Sequence, residues 1–148
     1  MITFLKAEEQ HQHSNGGGWV ANTAVVAASA YIGPDALVYG DAWVYGNARV
    51  YGNAQVYGDA CVCSDALVYS TAQVYGDARV YGDAQVCGNA RVYGDAQVYG
   101  NARVYGDAQV CDNAWVCGDA QVYGNAQVCG NALVSGNAIL VTSKGERQ

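Results

Sequence analysis

From Ala24 to Ala138 alanine returns at every sixth position, twenty times without a break. An aliphatic residue stands two places after each one, Val everywhere except at Ile32 and Leu140. The repeating unit is Ala-x-Val-Tyr-Gly-Asp/Asn. Residues two apart share one face of a strand, so Ala and Val form an inward row while x and Tyr point out. A helix needs apolar positions near a 3.6-residue period, and this pattern has none. Gly followed by Asp or Asn predicts a corner, because both residue types tolerate positive φ. Each hexad therefore reads as a short strand and a corner. A unit this small buries a core only by stacking on its neighbours.

The alanine, the aliphatic two places later and the Gly-Asn or Gly-Asp corner resemble the hexapeptide-repeat left-handed β-helix. The resemblance implies an all-β fold in which three hexads make one triangular coil of eighteen residues; the left hand comes from it alone. Twenty hexads then give about 6.7 coils, and about 4.8 Å per coil gives a prism roughly 30 Å long. The expected organisation is a cap over residues 1–18, the β-helix over 19–141 and a polar tail over 142–148. The opening MITFLKAEEQHQHSNGGG breaks the repeat and is expected to cover an otherwise open parallel edge; the closing TSKGERQ is expected to blunt the other end by charge. The VYGNA and VYGDA hexads, with HSNGGGWVANTA at residues 13–24, also resemble uncharacterised bacterial and phage proteins. That likeness implies no activity. It implies a bacterial or virus-infected cytoplasm and makes a host or phage protein a conceivable partner.

Residues eighteen apart are expected to stack, which sorts the surface into columns. One face carries Tyr39, Tyr57, Tyr75 and Tyr93, then Cys111 and Cys129. The second carries Tyr51, Tyr69, Cys87, Tyr105 and Tyr123; the third carries Tyr45, Cys63, Tyr81, Tyr99 and Cys117, with Trp43 and Trp115 alongside. Stacked tyrosines support one another within a strand ladder. They also suit interfaces, and an aromatic surface on three sides exceeds what a small monomer normally leaves bare. One corner repeats an acid: Asp41, Asp59, Asp77 and Asp95. The expected explanation is a hydrogen-bonded Asx ladder, with calcium or a basic partner along the acidic strip as alternatives.

Charge and candidate chemistry narrow the picture. Thirteen acids against seven bases give a net charge of −6, which argues against nucleic acid as partner. No apolar run has the length of a membrane span, and the N-terminus does not read as a secretory signal, so no membrane partner and a cytoplasmic location are expected. The six cysteines are accordingly expected to be reduced; Cys111 and Cys129 have a suitable Cα separation but parallel side chains, a poor disulfide geometry. Within the resembled superfamily, acyltransferases use a His base and the zinc carbonic anhydrases three His ligands. Here the only histidines, His11 and His13, precede the first hexad. Gly16-Gly17-Gly18 lacks the strand-before and helix-after setting of a phosphate loop, so no cofactor and no metal are expected. The function expected is a non-catalytic structural or interaction module that self-associates through its tyrosine faces, as a homotrimer or other homo-oligomer. The alternatives are binding of an extended ligand, a glycan or ice, and an atypical acyltransferase using His11 or His13.

Overall fold

Each hexad forms a two-residue strand at its x-Val positions, and successive strands such as Leu37–Val38, Trp43–Val44 and Arg49–Val50 belong to three different sheets. The chain returns to a sheet every eighteen residues, pairing Arg79 with Gln97 and Val80 with Val98 in parallel register. The computed structural model describes residues 1–142, and over them the chain is a parallel β-solenoid of about seven coils. Each sheet holds seven parallel strands; the sheet through Leu37 gains an eighth, antiparallel one, at the N-terminal end. The only helical element among the described residues is the 3-10 turn Ala7–Glu9. No helix there is long and apolar enough to cross a membrane.

The inward rows are as dry as the repeat requires. Every alanine from Ala30 to Ala120 and every aliphatic partner from Ile32 to Val122 is fully buried. Fully burying a Val side chain is worth about 1.5–3 kcal/mol, and the stack repeats that gain in every hexad. No buried side-chain nitrogen or oxygen lacks a hydrogen-bond partner among the described residues.

The corners differ from expectation in one respect. Positive φ falls on the glycine alone, as at Gly58 and Gly76 (φ 68° and 67°), while the following Asp or Asn stays at negative φ. The four-residue turn closes by a bond from the alanine N–H to the Tyr-position carbonyl, 3.3 Å for Ala54 to Tyr51. Coil spacing adds a second demand for glycine: a Cβ at Gly58 would lie 2.9 Å from the Gly76 nitrogen in the next coil. Three glycine slots nevertheless hold other residues at positive φ, Ser64, Ser70 and Asp112.

The two ends are unlike. Strand Gln10–Gln12 pairs antiparallel with Trp19–Ala21, and the fully buried Ile2 joins the cap. The buried Gln10 fastens that segment, accepting the Ile2 N–H at 2.9 Å and donating to the Ile2 and Leu5 carbonyls at 3.0 and 3.2 Å. The cap thus folds onto its own prism. At the other end Ala132 and Ala138 are exposed, and Leu133 and Ile139 are more than 60% exposed. The last strand, Ile139–Thr142, runs one residue past the expected boundary at 141, and Thr142 is buried. The expected charged plug falls on residues 143–148, outside the described ones.

Val80 stands at full burial in the middle of the stack. Val80→Asp should destabilise the chain by more than about 4 kcal/mol and abolish a cooperative thermal transition, because an unpaired carboxylate would displace apolar contacts. A melting curve like that of the unsubstituted chain would mean that inside and outside had been exchanged.

Candidate functional site

With the inside uniform, chemistry is confined to the outward x and Tyr columns. Their tyrosines are largely spoken for within the chain. Rings in the first column stack at centroid distances of 4.7 Å (Tyr39–Tyr57), 4.9 Å (Tyr57–Tyr75) and 5.0 Å (Tyr75–Tyr93), and Phe4 closes it edge-on against Tyr39. The second column stacks Tyr51 on Tyr69 and Tyr105 on Tyr123, interrupted by Cys87; the third stacks Tyr81 on Tyr99. A diagonal partner completes the ladder. The hydroxyls of Tyr39, Tyr57, Tyr81, Tyr93 and Tyr105 donate to Gln55, Gln73, Gln97, Gln109 and Gln121 at 3.0–3.2 Å, always sixteen residues ahead. Column sorting by eighteen missed this contact; the alternation of Gln in the x position was the available signal.

Stacking and burial leave a mark on ionisation. Burial, then repulsion by the Tyr57 phenolate, pushes Tyr39 above the usual phenol range. Tyr69 is pushed up to about 12, first by its hydrogen bond with the Cys87 thiol and then by burial; Tyr99 reaches about 12 in the same way, first through Cys117. Cys87 and Cys117 thus act on the ring one coil earlier.

The third face departs from this self-satisfied pattern. Its x column reads Val25, Trp43, Cys61, Arg79, Gln97, Trp115, Leu133 in continuous parallel register. Trp43 is 51% exposed, Tyr45 43% and Trp115 44%, and the other tyrosines of the three columns are half-buried. Trp43 meets Tyr45 edge-on at 6.4 Å, and Trp115 meets Tyr99 edge-on at 6.1 Å. Where Cys61 and Cys63 replace longer side chains in both outward columns, a groove of about 620 Å³ opens. It runs between Trp43 and Tyr45 on one side and Arg79 and Tyr81 on the other, with Asp41 and Asp59 along its edge. Burial is the first cause that holds the Cys61 thiol above its usual range.

The acidic corner is a row of backbone bonds. Asp41, Asp59 and Asp77 donate their N–H groups to Gly58, Gly76 and Gly94, and Asp95 donates to Asp112, at 2.8–2.9 Å. The side-chain Asx ladder expected there lies at the other corners instead: Asn89 donates to Asp107 at 3.0 Å and Asn101 to Asp119 at 3.1 Å. An amide supplies the donor that an Asp-over-Asp pair lacks, so Asn89 and Asn101 bond to the aspartates of the next coil where Asp41, Asp59 and Asp77 cannot.

The structure corrects the cysteine expectation. Cys111 and Cys129 form a disulfide with a Cα–Cα distance of 4.7 Å, while Cys61, Cys63, Cys87 and Cys117 are free. Parallel strand register places the two backbones within disulfide range, and rotation at Cα–Cβ brings the sulfurs together.

Both histidines have structural partners. His11 Nδ1 donates to the Asn22 side-chain oxygen at 2.7 Å, and the buried His13 donates from Nε2 to the Ala30 carbonyl at 2.8 Å. The turn between the cap strand and the first coil is closed by the His13 N–H to Gly18 carbonyl bond at 2.7 Å.

Six segments, residues 42–58, 72–85, 84–97, 96–112, 108–124 and 126–140, match the model of the YdcK beta solenoid repeat. Together they cover more than half of the chain. The chain belongs to the YdcK beta-solenoid repeat family. No curated protein and no solved structure matches it. The family match covers the repeat and the solenoid; the likeness to the hexapeptide-repeat superfamily rests on the hexads, and that to bacterial or phage proteins on the hexads with residues 13–24.

The raised tyrosines have a consequence in alkali. A folded-state value of about 12 against about 10 in the unfolded chain keeps Tyr69 and Tyr99 protonated longer in the native state. Their contribution to stability is complete below about pH 10 and is lost as pH rises towards 12. Absorbance titration of the phenolates should therefore remain incomplete at about pH 11. Cys87→Ala should return the Tyr69 step towards the ordinary value; an unchanged titration would remove the thiol as its first cause.

Proposed function

We propose that this repeat solenoid is a structural interaction module that associates with copies of itself through the Trp43–Trp115 face. The observation that carries the reading is the concentration of exposed aromatics. Three of the four exposed aromatics, Trp43, Tyr45 and Trp115, lie on this face, and the fourth, Phe4, packs edge-on against Tyr39; the column tyrosines of the other two faces are half-buried, largely stacked and in many cases hydrogen-bonded to glutamine. Tyr and Trp are enriched in interface cores because they offer large rigid area at low entropic cost. The face also carries charges of both signs, Arg79 within the groove and Asp41 and Asp59 along its edge, which supports pairing with a second copy of opposite sense. Seven coils at about 4.8 Å make a face about 30 Å long, large enough for an interface approaching the standard size of about 800 Å² per partner. The trimeric arrangement implied by the hexapeptide-repeat resemblance is one way to use such a face.

The groove supports a second reading. Trp43 offers a flat ring beside the polar groups of Asp41, Asp59 and Arg79, the combination that grips a sugar ring from face and edge. An oligosaccharide that quenches Trp43 fluorescence saturably, with the signal lost in Trp43→Ser, would favour that use.

Sedimentation velocity at tens of micromolar separates the readings. The unsubstituted chain should sediment as an oligomer, and Trp43→Arg with Trp115→Arg should sediment as a folded monomer. Tyr57→Ser with Tyr75→Ser, on the first face, should leave the mass unchanged. A monomeric unsubstituted chain overturns the self-association; an oligomer broken by the Tyr57 and Tyr75 pair assigns it to the wrong face.

A further inference from the structure

The first aromatic column ends in different chemistry. After four tyrosines come Cys111 and Cys129, which follow strands Gln109–Val110 and Gln127–Val128, and the latter is the outermost strand of its sheet. Asp112 turns the corner after Cys111 at φ 56°, in a slot that is glycine one coil before, at Gly94, and one coil after, at Gly130. Asp is one of the few non-glycine residues that take that conformation. One Asp112 oxygen accepts the Gly130 N–H at 3.0 Å. The two sulfurs and a carboxylate oxygen all lie within 4.8 Å of one another. Cys111 is buried, Cys129 half-buried and Asp112 exposed, so the cluster opens to solvent on one side. A disulfide staple alone accounts for both sulfurs and leaves the carboxylate explained only by its single hydrogen bond.

We propose that Cys111, Asp112 and Cys129 form a redox-gated site for a soft divalent cation of the zinc class. Reduction by a dithiol delivers two electrons and two protons to the S–S bond, giving two thiols while the dithiol becomes a disulfide. The cation then displaces both thiol protons and is held by two thiolates and the Asp112 carboxylate, with water in the fourth tetrahedral position. Metal–sulfur distances of about 2.3 Å and metal–oxygen distances of about 2.0 Å set such ligand atoms about 3.3–3.8 Å apart, inside the span they already occupy. The sulfurs separate by side-chain rotation and the strands keep their register. The Gly130 N–H orients the carboxylate, as a supporting hydrogen bond does at many metal centres. The outermost coil of this sheet is thereby tied to its neighbour in either redox state, covalently when oxidised and through the cation when reduced.

Cobalt(II) titrated into the phosphine-reduced full chain tests the site. One equivalent should bind with a thiolate-to-cobalt charge-transfer band, zinc should abolish the band, and the oxidised chain should show none. Asp112→Asn should weaken cobalt binding at least about tenfold, whereas Cys61→Ser with Cys63→Ser should leave it unchanged. No band in the reduced chain, a band that survives Cys111→Ser with Cys129→Ser, or one lost with Cys61 and Cys63 overturns the proposal. Without any substitution, zinc should protect Cys111 and Cys129 of the reduced chain from alkylation, read by peptide mass; equal labelling with and without zinc overturns it as well.

Discussion

Every coil is held to the next by backbone hydrogen bonds in an eighteen-residue register, and the other properties of the molecule descend from it. From Leu37 to Asp119 three N–H groups in each hexad, such as those of Trp43, Tyr45 and Asn47, donate to the following coil, here to Ala60, Val62 and Ser64. A strand of two residues could not hold itself in place. It persists because its polar groups are satisfied above and below and because its Val and the neighbouring Ala sink into a continuous dry core. The register therefore turns a linear repeat into a stack in which each residue faces its own equivalent.

Like facing like has different results for different side chains. Tyrosine gains from it, because rings at the coil spacing stack and, where a glutamine stands sixteen residues ahead, the hydroxyl reaches it on the adjacent coil. Aspartate gains nothing, and the Asp41 to Asp95 corner relies on main-chain bonds alone. Where Asn89 meets Asp107 and Asn101 meets Asp119, a side-chain bond between coils is recovered. Cysteine gains in two ways, as a partner for the ring before it and, where two follow one another, as a covalent staple. A surface that looks monotonous along the chain is thus three chemically distinct faces, of which the Trp43–Trp115 face carries the exposed tryptophans.

The ends show what the register costs. A parallel stack must stop somewhere, and the first coil is closed by an antiparallel strand fastened through Gln10. At the far end the alanines that are buried elsewhere become exposed at Ala132 and Ala138, and the disulfide at Cys111 and Cys129 ties the outermost strand of its sheet to the next. Apolar side chains at Leu133 and Ile139 add to an end that differs in character from the capped one.

The amino-acid sequence by itself, with the resemblance it carries, determined the coil, the inside rows and the membership of each outer column. A six-residue period with Ala and Val two apart specifies the short strand, the corner and the inward rows, while the three-hexad coil, and with it each outer column, is what the resemblance implied. Legible too was the corner itself, from Gly followed by Asp or Asn; that positive φ falls on the first of the two slots alone, beside a close backbone, only the stack showed. The tertiary structure alone decided contacts that cross from one column to another. The Tyr to Gln diagonal depends on how far a ring leans towards the next coil, and the Cys111–Cys129 bond depends on rotation about Cα–Cβ, which strand periodicity does not specify. It also decided which aromatic columns are used up internally and which face remains open. Identical hexads acquire different surroundings once they are stacked, and exposure is a property of the stack, not of the repeat.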